Sequence, residues 1–190
     1  MKTLTACAGL IYLFLLGSCK DDVIPKPKAQ LRLEYPEAVY REISTDCPYT
    51  FEISESSRIK QNNKCWANIE YPDLRASINL TYRPVEGNLK ELLLEAEKLT
   101  FNHTIKADGI SSIPYVNKQK NVYGSIFEVT GNAASPIQFH VTDSTRHFIT
   151  GAVYFNVQPN FDSIRPAIKY LQKDVIRLIE SMEWKNETSE

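Results

Sequence analysis

Histidine side chains are the groups in this sequence most able to exchange protons or bind metal near neutral pH. The chain has three, His103, His140 and His147. Alternating apolar residues predict that His140 and His147 lie on the two strands of one hairpin, with Thr142 opposite His147. This register would place both rings on one face of the sheet, with Asp143 close to them. Two interpretations stay open: a metal site formed by His140, Asp143 and His147, or ordinary polar pairing across the strands. The lack of a fourth ligand favours pairing.

Ser144 lies in the same turn and could act as a nucleophile if His147 were its base. However, the sequence lacks the Gly-x-Ser-x-Gly turn of hydrolases and a glycine-rich oxyanion loop. Its glycines are isolated, so no phosphate-binding loop is predicted, and no pair of carboxylates stands out for glycoside hydrolysis. We therefore predict no catalytic residue, no bound metal and no cofactor.

The composition limits the class of partner. The 190 residues include 22 Lys and Arg against 23 Asp and Glu, for a net charge of -1. Nucleic-acid-binding surfaces usually show a strong basic excess, so no nucleic-acid partner is expected. With 43% hydrophobic and 11% aromatic residues, the chain can build a packed core. We place a single domain at residues 36–185, followed by a frayed polar tail at residues 186–190.

The N-terminal segment carries an export signal. Lys2 precedes an apolar run from Leu4 to Leu16, which is too short to span a bilayer but has the length of a secretory signal. The run ends in Leu16-Gly17-Ser18-Cys19, which resembles the lipobox of bacterial lipoproteins. The resemblance implies that residues 1–18 are a lipoprotein signal peptide. It also implies that Cys19 becomes the acylated N-terminus, held in membrane lipid by its acyl chains.

Residues 19–35 are predicted to form a flexible tether, because prolines and charged residues follow the lipidated cysteine. Lys20-Asp21-Asp22 resembles the acidic export signal that places some lipoproteins on the cell surface, but a solvated tether explains these charges equally well. Position 20 is Lys, so the aspartate signal for retention in the inner membrane is absent. We expect a lipid-anchored protein of the bacterial cell envelope, at the outer membrane, on either its periplasmic or its surface face.

Two cysteines fall in the exported domain. Cys7 leaves with the signal peptide and Cys19 takes lipid, whereas Cys47 and Cys65 remain, with 17 residues between them. Exported proteins meet an oxidising compartment, and the sequence offers no further zinc ligand nearby. Redox-active pairs more often have the Cys-x-x-Cys spacing. We therefore predict a structural disulfide between Cys47 and Cys65.

Hydrophobic periodicity predicts several strands and two helices. Helices are expected from Asn88 to about Phe101 or His103, and from Asp162 or Ser163 to Trp184, with Pro166 in the first turn of the second. Residues 54–63 are polar and predict a loop, and residues 108–120 predict a loop with a short extended piece. The predicted strands cover residues 49–53, 65–71, 74–83, 122–130, 137–142 and 148–157.

This order of elements predicts an α+β fold, a largely antiparallel sheet covered by two amphipathic helices. Short turns join the strands, which favours antiparallel pairing. Residues 148–157 are apolar on both faces, which predicts a central strand. The order is similar to that of the PsbP/Mog1-like sandwich, in which an antiparallel sheet lies between helices.

A set of short segments spread over residues 40–184 forms a recognisable pattern: Cys65–Pro72, Phe101–Ile110, Tyr123-Gly124, Gly131–Ser135, Gln138-Phe139, Thr142–Phe148, Tyr154-Phe155 and Pro159–Ser163. Together they resemble the gliding motility lipoprotein GldD family. The resemblance implies an accessory lipoprotein of the bacterial gliding apparatus, which is tied to the type IX secretion system. Its partners would be other proteins of the gliding or secretion machinery. The resemblance implies no activity, cofactor or catalytic residue.

The predicted turn at residues 143–147 lies within one of those segments. We hypothesise that Asp143, Ser144, Thr145 and His147 contact a partner protein, because polar loop tips on rigid hairpins often carry function. The competing interpretation is a turn that only joins two strands. Asp143-Ser144-Thr145 and Asp162-Ser163-Ile164 also resemble O-glycosylation acceptors, although turn and helix-cap roles explain both triplets.

The predicted function is a non-enzymatic envelope component that acts through protein–protein contacts. The alternative is a lipid-anchored glycan- or cell-wall-binding module, suggested by the aromatic residues Trp66, Tyr71 and Tyr115. A glycan binder should present exposed, coplanar aromatic rings in a groove. An enzyme should show a pocket with converging titratable groups, and a scaffold component an exposed apolar patch.

Overall fold

The computed structural model describes residues 35–44, 46–101, 107–156 and 161–185. Most of these residues lie in ten strands and two α-helices, α1 (Leu89–Phe101) and α2 (Phe161–Ser181). A short 3-10 helix, Pro72–Leu74, separates two of the strands. The strands are β1 (Tyr40–Ile43), β2 (Tyr49–Ser54), β3 (Arg58–Gln61), β4 (Ala67–Tyr71), β5 (Ala76–Pro84), β6 (Ala107–Asn117), β7 (Val122–Gly131), β8 (Ile137–Thr142), β9 (His147–Phe155) and β10 (Glu183–Trp184).

The strands form two antiparallel sheets. The larger has seven strands in the order β3-β4-β5-β9-β8-β7-β6, and the smaller has three in the order β1-β2-β10. Strand β9 lies between β5 and β8, so the prediction that its apolar sequence marks a central strand is confirmed. The α+β prediction and the antiparallel sheet are confirmed as well.

The hydrophobic core lies on one face of the large sheet. Buried residues of β4, β5, β8 and β9 pack there against β2 and α2. The predicted apolar stripe of α2 supplies the cover, because Leu171, Val175 and Leu178 are almost fully buried. Helix α1 lies on the opposite face and forms a smaller cluster, in which Leu92 and Ala96 pack on Phe148 of β9. The two helices therefore cover opposite faces of the sheet.

Two strands lie where the sequence predicted none, and a third is far longer than the short extended piece predicted at residues 108–120. Strand β1 was not expected, β3 lies in the predicted polar loop 54–63, and β6 occupies the predicted loop 108–120. Strands β3 and β6 are the two edges of the large sheet, and most of their residues are exposed or half-buried. An edge strand can form by backbone pairing without an apolar face, and it tolerates a proline such as Pro114. Periodicity alone therefore misses such strands.

The ends of α2 also differ from the prediction. The helix begins at Phe161, whose backbone N–H donates to Oδ1 of Asn132 at 3.1 Å. Pro166 consequently lies inside the helix and not in its first turn. The helix ends at Ser181, and Trp184 belongs to β10, where it pairs with Tyr49 of β2. Both differences come from contacts with residues distant in sequence.

Candidate functional site

The turn between β8 and β9 is held together by the side chain of Asp143. Its Oδ1 accepts hydrogen bonds from the backbone N–H groups of Thr145, Arg146 and His147, at 3.0, 2.8 and 2.8 Å. The Thr145 hydroxyl donates to Oδ2 at 2.9 Å. Burial raises the pKa of the Asp143 carboxyl, but these backbone and hydroxyl donors outweigh it and hold the pKa below its usual value. Ser144 has a φ of 68°, in the left-handed region.

This turn is one residue longer than predicted, which changes the register of the hairpin. Thr142 pairs with Phe148, not with His147, and His140 pairs with Thr150. A shift by one residue moves side chains to the opposite face of the sheet. His140 therefore shares a face with Phe148, and His147 lies on the other face. The proposed clustering of His140, Asp143 and His147 was wrong, and no group of three or more potential metal ligands occurs within the described ranges.

His147 is buried, and aromatic rings surround it. Its Nδ1 lies 3.0 Å from the hydroxyl of Tyr82, and its ring stacks on Trp184 with a centroid distance of 5.2 Å. Ser144 and Thr145 are exposed at the tip. The four residues predicted to contact a partner thus divide into two pairs: Ser144 and Thr145 face solvent, whereas Asp143 and His147 point inward. A nucleophilic pair of Ser144 and His147 does not fit this division.

The turn borders a shallow cavity of about 390 Å³ shared with the β6–β7 turn and with β10. Nζ of Lys120 lies 2.9 Å from Oε1 of Glu183, an ion pair on the rim. Nε1 of Trp184 donates to the carbonyl oxygen of Asn121 at 3.0 Å, which joins β10 to the β6–β7 turn. The β8–β9 turn therefore lies beside two segments distant in sequence, β10 and the β6–β7 turn, which are bonded to each other.

A second polar region lies on the face of the large sheet that α1 partly covers. In one row across the strands, Asn68 of β4 pairs with Asn79 of β5, Asn79 with Ala152 of β9, and Ala152 with Gln138 of β8. In the adjacent row, Thr81, Thr150 and His140 follow the same strand order. We call these polar side chains the polar groove: Asn68, Asn79, Thr81, Gln138, His140 and Thr150.

Two cavities open along the polar groove, and both are lined by Asn79 and Thr81. The first, of about 260 Å³, lies between α1 and the sheet and reaches His140. The second, of about 440 Å³, lies over β3, β4 and β5 and is bounded by Trp66. The sequence analysis did not predict this region because its residues come from four strands. The alternating polar residues of β5 were the one signal in the sequence that pointed to a polar face.

Three side-chain atoms of the polar groove have no hydrogen-bond partner among the described residues: Oδ1 of Asn68, Nε2 of Gln138 and Nδ1 of His140. Oε1 of Gln138 lies 3.2 Å from the Thr100 hydroxyl, so either orientation of the amide leaves one end unpaired. Burial lowers the pKa of His140 below its usual 6.5, against an opposing attraction from Glu97, so the ring is neutral at pH 7.

The three aromatic residues proposed for glycan binding are not brought together. Tyr71 is buried in the core, and Tyr115 packs against the core from β6. Trp66 alone is exposed, at 42% of its surface. Its Nε1 donates to the carbonyl oxygen of Tyr82 at 3.1 Å, and Nζ of Lys64 lies 5.4 Å from its ring centroid. These three residues therefore do not form an exposed row of coplanar rings.

Among the described residues, the hydrophobic side of the sheet holds one buried carboxyl group, that of Asp174 of α2. Its Oδ1 accepts a hydrogen bond of 2.7 Å from the hydroxyl of Tyr40. Burial raises the pKa of Asp174, while hydrogen bonds from Tyr40 and Tyr71 act in the opposite direction. The group links β1 and β4 to α2, which is a structural role. The sequence signal for it was an Asp on the apolar stripe of the helix.

The sulfur atoms of Cys47 and Cys65 lie 2.08 Å apart, and their Cα atoms 5.6 Å apart. Cys47 precedes β2 of the small sheet, and Cys65 precedes β4 of the large one. The link therefore ties the small sheet to the large one near its β3–β4 edge. Oxidation of this pair in the cell stays a prediction.

Cys19, the predicted signal peptide 1–18, most of the tether, His103 and the tail 186–190 lie outside the described residues, so the expectations about them stay predictions. Within the described part of the chain, no helix is long and apolar enough to cross a bilayer. No curated protein matches the chain significantly. A model of the family described as gliding motility lipoprotein GldD matches residues 20–184, and the chain therefore belongs to that family.

Proposed function

We propose that this protein is a lipid-anchored, non-enzymatic component of the gliding apparatus that binds other proteins of the machinery and is linked to type IX secretion. Membership of the GldD family supports the role in motility. The lipobox resemblance at residues 16–19 supports an anchor through acylated Cys19, which we place in the outer membrane.

The turn between β8 and β9 is the proposed contact with a partner protein. Asp143 and His147 hold the backbone from within, which leaves Ser144 and Thr145 to touch the partner. A binding loop that is already ordered loses less conformational entropy when it binds. One observation carries this proposal: Ser144 and Thr145 are exposed, while the Asp143 side chain beneath them fixes the backbone of the turn by hydrogen bonds.

Substitution at the tip tests the contact. Thr145→Arg adds bulk and charge at an exposed position and leaves every bond to Oδ1 of Asp143 in place. We expect normal protein levels and thermal stability, but loss of gliding. The matched control is Asp73→Arg, because Asp73 is exposed in the 3-10 helix at the opposite end of β5. Normal gliding of both variants would contradict the contact.

Crosslinking identifies the partner and addresses secretion. A photo-reactive amino acid at position 145 should capture a protein of the gliding or secretion machinery in intact cells, whereas the same group at position 73 should not. If the link to type IX secretion holds, the Thr145→Arg strain should also release less secreted protein into the medium. Unchanged secretion with lost gliding would remove that link and keep the motility role.

The anchor is tested separately. Cys19→Ala should abolish labelling of the protein by a radioactive fatty acid such as palmitate and prevent its recovery with the outer-membrane fraction. Label retained by this variant would contradict the lipidation of Cys19.

A further inference from the structure

The buried polar side chains of the polar groove destabilise the folded state. Gln138 is 7% exposed and His140 is 5% exposed, yet each has a polar atom without a partner among the described residues. A buried donor or acceptor without a partner destabilises a protein by about 1–3 kcal/mol. Hydrophobic side chains at these positions would remove that cost. A ligand that bonds these atoms would explain why polar residues stand at the two positions.

The open part of the groove offers neutral hydrogen-bonding groups. Asn79 is exposed and Thr81 and Thr150 are half-buried, and the three lie next to one another across β5 and β9. Lys60 is the charged residue on the lining of the larger cavity, and its Nζ pairs with Oε1 of Glu70 at 2.9 Å. Amide and hydroxyl groups without net charge suit an uncharged ligand that has many hydroxyl or amide groups of its own.

Trp66 supplies an aromatic wall for the same cavity. The hydrogen bond from its Nε1 to the Tyr82 carbonyl oxygen holds the ring at the edge of the groove. A fixed aromatic ring beside amide groups can bind a molecule that has both apolar C–H faces and polar edges. On the opposite side, the exposed Leu99 of α1 adds a second apolar surface to the smaller cavity.

The dimensions agree with a ligand of several rings. The two cavities measure about 260 and 440 Å³ and meet at Asn79 and Thr81. Small-molecule sites typically measure about 300–1,000 Å³. Helix α1, which covers the inner end, has three buried residues, Leu92, Ala96 and Thr100, among its 13. Few buried contacts allow a helix to move outward at low cost, which would give a ligand access to Gln138 and His140.

We propose that the polar groove binds an uncharged oligosaccharide of the cell envelope, with its rings against Trp66 and its hydroxyl or acetamido groups on Asn79, Thr81 and Thr150. The ligand could come from the N-acetylated cell wall or from a surface polysaccharide, which share this chemistry. The proposal does not depend on the contact made by the β8–β9 turn, because the groove lies on the face of the sheet that α1 covers.

NMR titration of the domain with chitotetraose and with cellotetraose distinguishes the two sources. We expect one of them to shift the indole N–H signal of Trp66 and the side-chain amide signal of Asn79, with the Trp184 indole signal unchanged. A shift by chitotetraose points to the cell wall, and a shift by cellotetraose points to a polysaccharide of plain hexoses. A third titration uses the stem peptide of the cell wall, and shifts produced by this peptide alone would overturn the proposal.

Variants then test the location. Asn79→Ala and Thr81→Val should each weaken binding about tenfold, the effect of losing a hydrogen bond worth roughly 1.4 kcal/mol. The matched control is Gln119→Ala, which removes an exposed amide from the β6–β7 turn and should leave the affinity unchanged. The proposal fails if neither oligosaccharide binds with a dissociation constant of about 10 mM or lower. That value corresponds to only about 3 kcal/mol of binding free energy. The proposal also fails if binding survives both groove variants.

Discussion

The two faces of the large sheet are made from alternate residues of the same strands, yet they differ in what they contain. On the face covered by α2, Ile78, Ile137 and Ile149 are almost completely buried. On the face that α1 partly covers, the neighbouring positions hold Asn79, Gln138 and Thr150. The first face carries the larger hydrophobic cluster. The second face contains buried polar side chains that the fold does not need, and these side chains suggest a ligand.

The largest expected effect comes from two adjacent residues of β9. Ile149→Ala removes a side chain with 0% exposure from the central strand, and we expect the free energy of unfolding to fall by about 3–4 kcal/mol. Thr150→Ala, one residue further on and on the opposite face, should cost less than about 1 kcal/mol. Urea denaturation of both variants measures the difference. Equal losses of unfolding free energy in the two variants would show that both faces stabilise the fold to the same degree, which would contradict the expected difference between them.

The disulfide comes next. It ties the small sheet, which covers the apolar face, to the large sheet, across 18 positions of sequence. Replacing both Cys47 and Cys65 by Ser should lower the free energy of unfolding by about 3 kcal/mol, because the unfolded chain regains the freedom of that loop. Thiol counting on the denatured mature protein should find neither cysteine free. Two free thiols would contradict the prediction at once.

The β8–β9 turn should show a smaller and pH-dependent effect. Asp143→Ala removes the acceptor for three backbone N–H groups and should cost about 1–2 kcal/mol at neutral pH. Asp143→Asn keeps an oxygen acceptor and should cost less. Because the folded state depresses the pKa of Asp143, the advantage of Asp over Asn is present at neutral pH. It should disappear as the pH falls below the ordinary value of 3.8 through the folded-state pKa.

Thermal unfolding of the Asp143→Asn variant and of the unaltered protein, from neutral to acidic pH, measures this difference. The contribution of the carboxylate is refuted if the gap between the two melting temperatures stays constant down to about pH 2.

The smallest effect has the opposite sign and concerns the polar groove. His140→Leu removes a buried unpaired nitrogen, so we expect a gain in stability below about 1 kcal/mol. The gain should be greater at about pH 5 than at about pH 8. Burial keeps the folded-state pKa of His140 below 6.5, so at the lower pH the unfolded chain binds a proton that the folded chain resists.

Calorimetry at the two pH values measures the change, and Thr142→Val, on the same strand and face, serves as the control. The Thr142 hydroxyl donates to the carbonyl oxygen of His147 at 2.6 Å, so removing it should destabilise the protein. A loss of stability in His140→Leu would mean that the imidazole contributes to folding, which would contradict the cost assigned to its unpaired nitrogen.

Local sequence determined the strands and helices in which buried side chains recur at a fixed spacing along the chain. The alternation in β5 and the apolar stripe of α2 were predicted correctly, because the side chains of one strand or helix face the core at a fixed period. The central position of β9 followed from apolar residues on both of its faces. The family was also accessible from short segments of sequence.

Only the tertiary structure decided the positions of the edge strands, the register of the β8–β9 hairpin and the polar groove. Strands β3 and β6 are the edges of the large sheet and have no fully buried residue, and they form because a neighbouring strand offers its backbone. The register follows from a turn one residue longer than predicted, in which Asp143 accepts three backbone hydrogen bonds, and that residue places His140 and His147 on opposite faces. The groove joins side chains of four strands, and the alternation of one strand such as β5 does not show which residues of the other strands lie beside it.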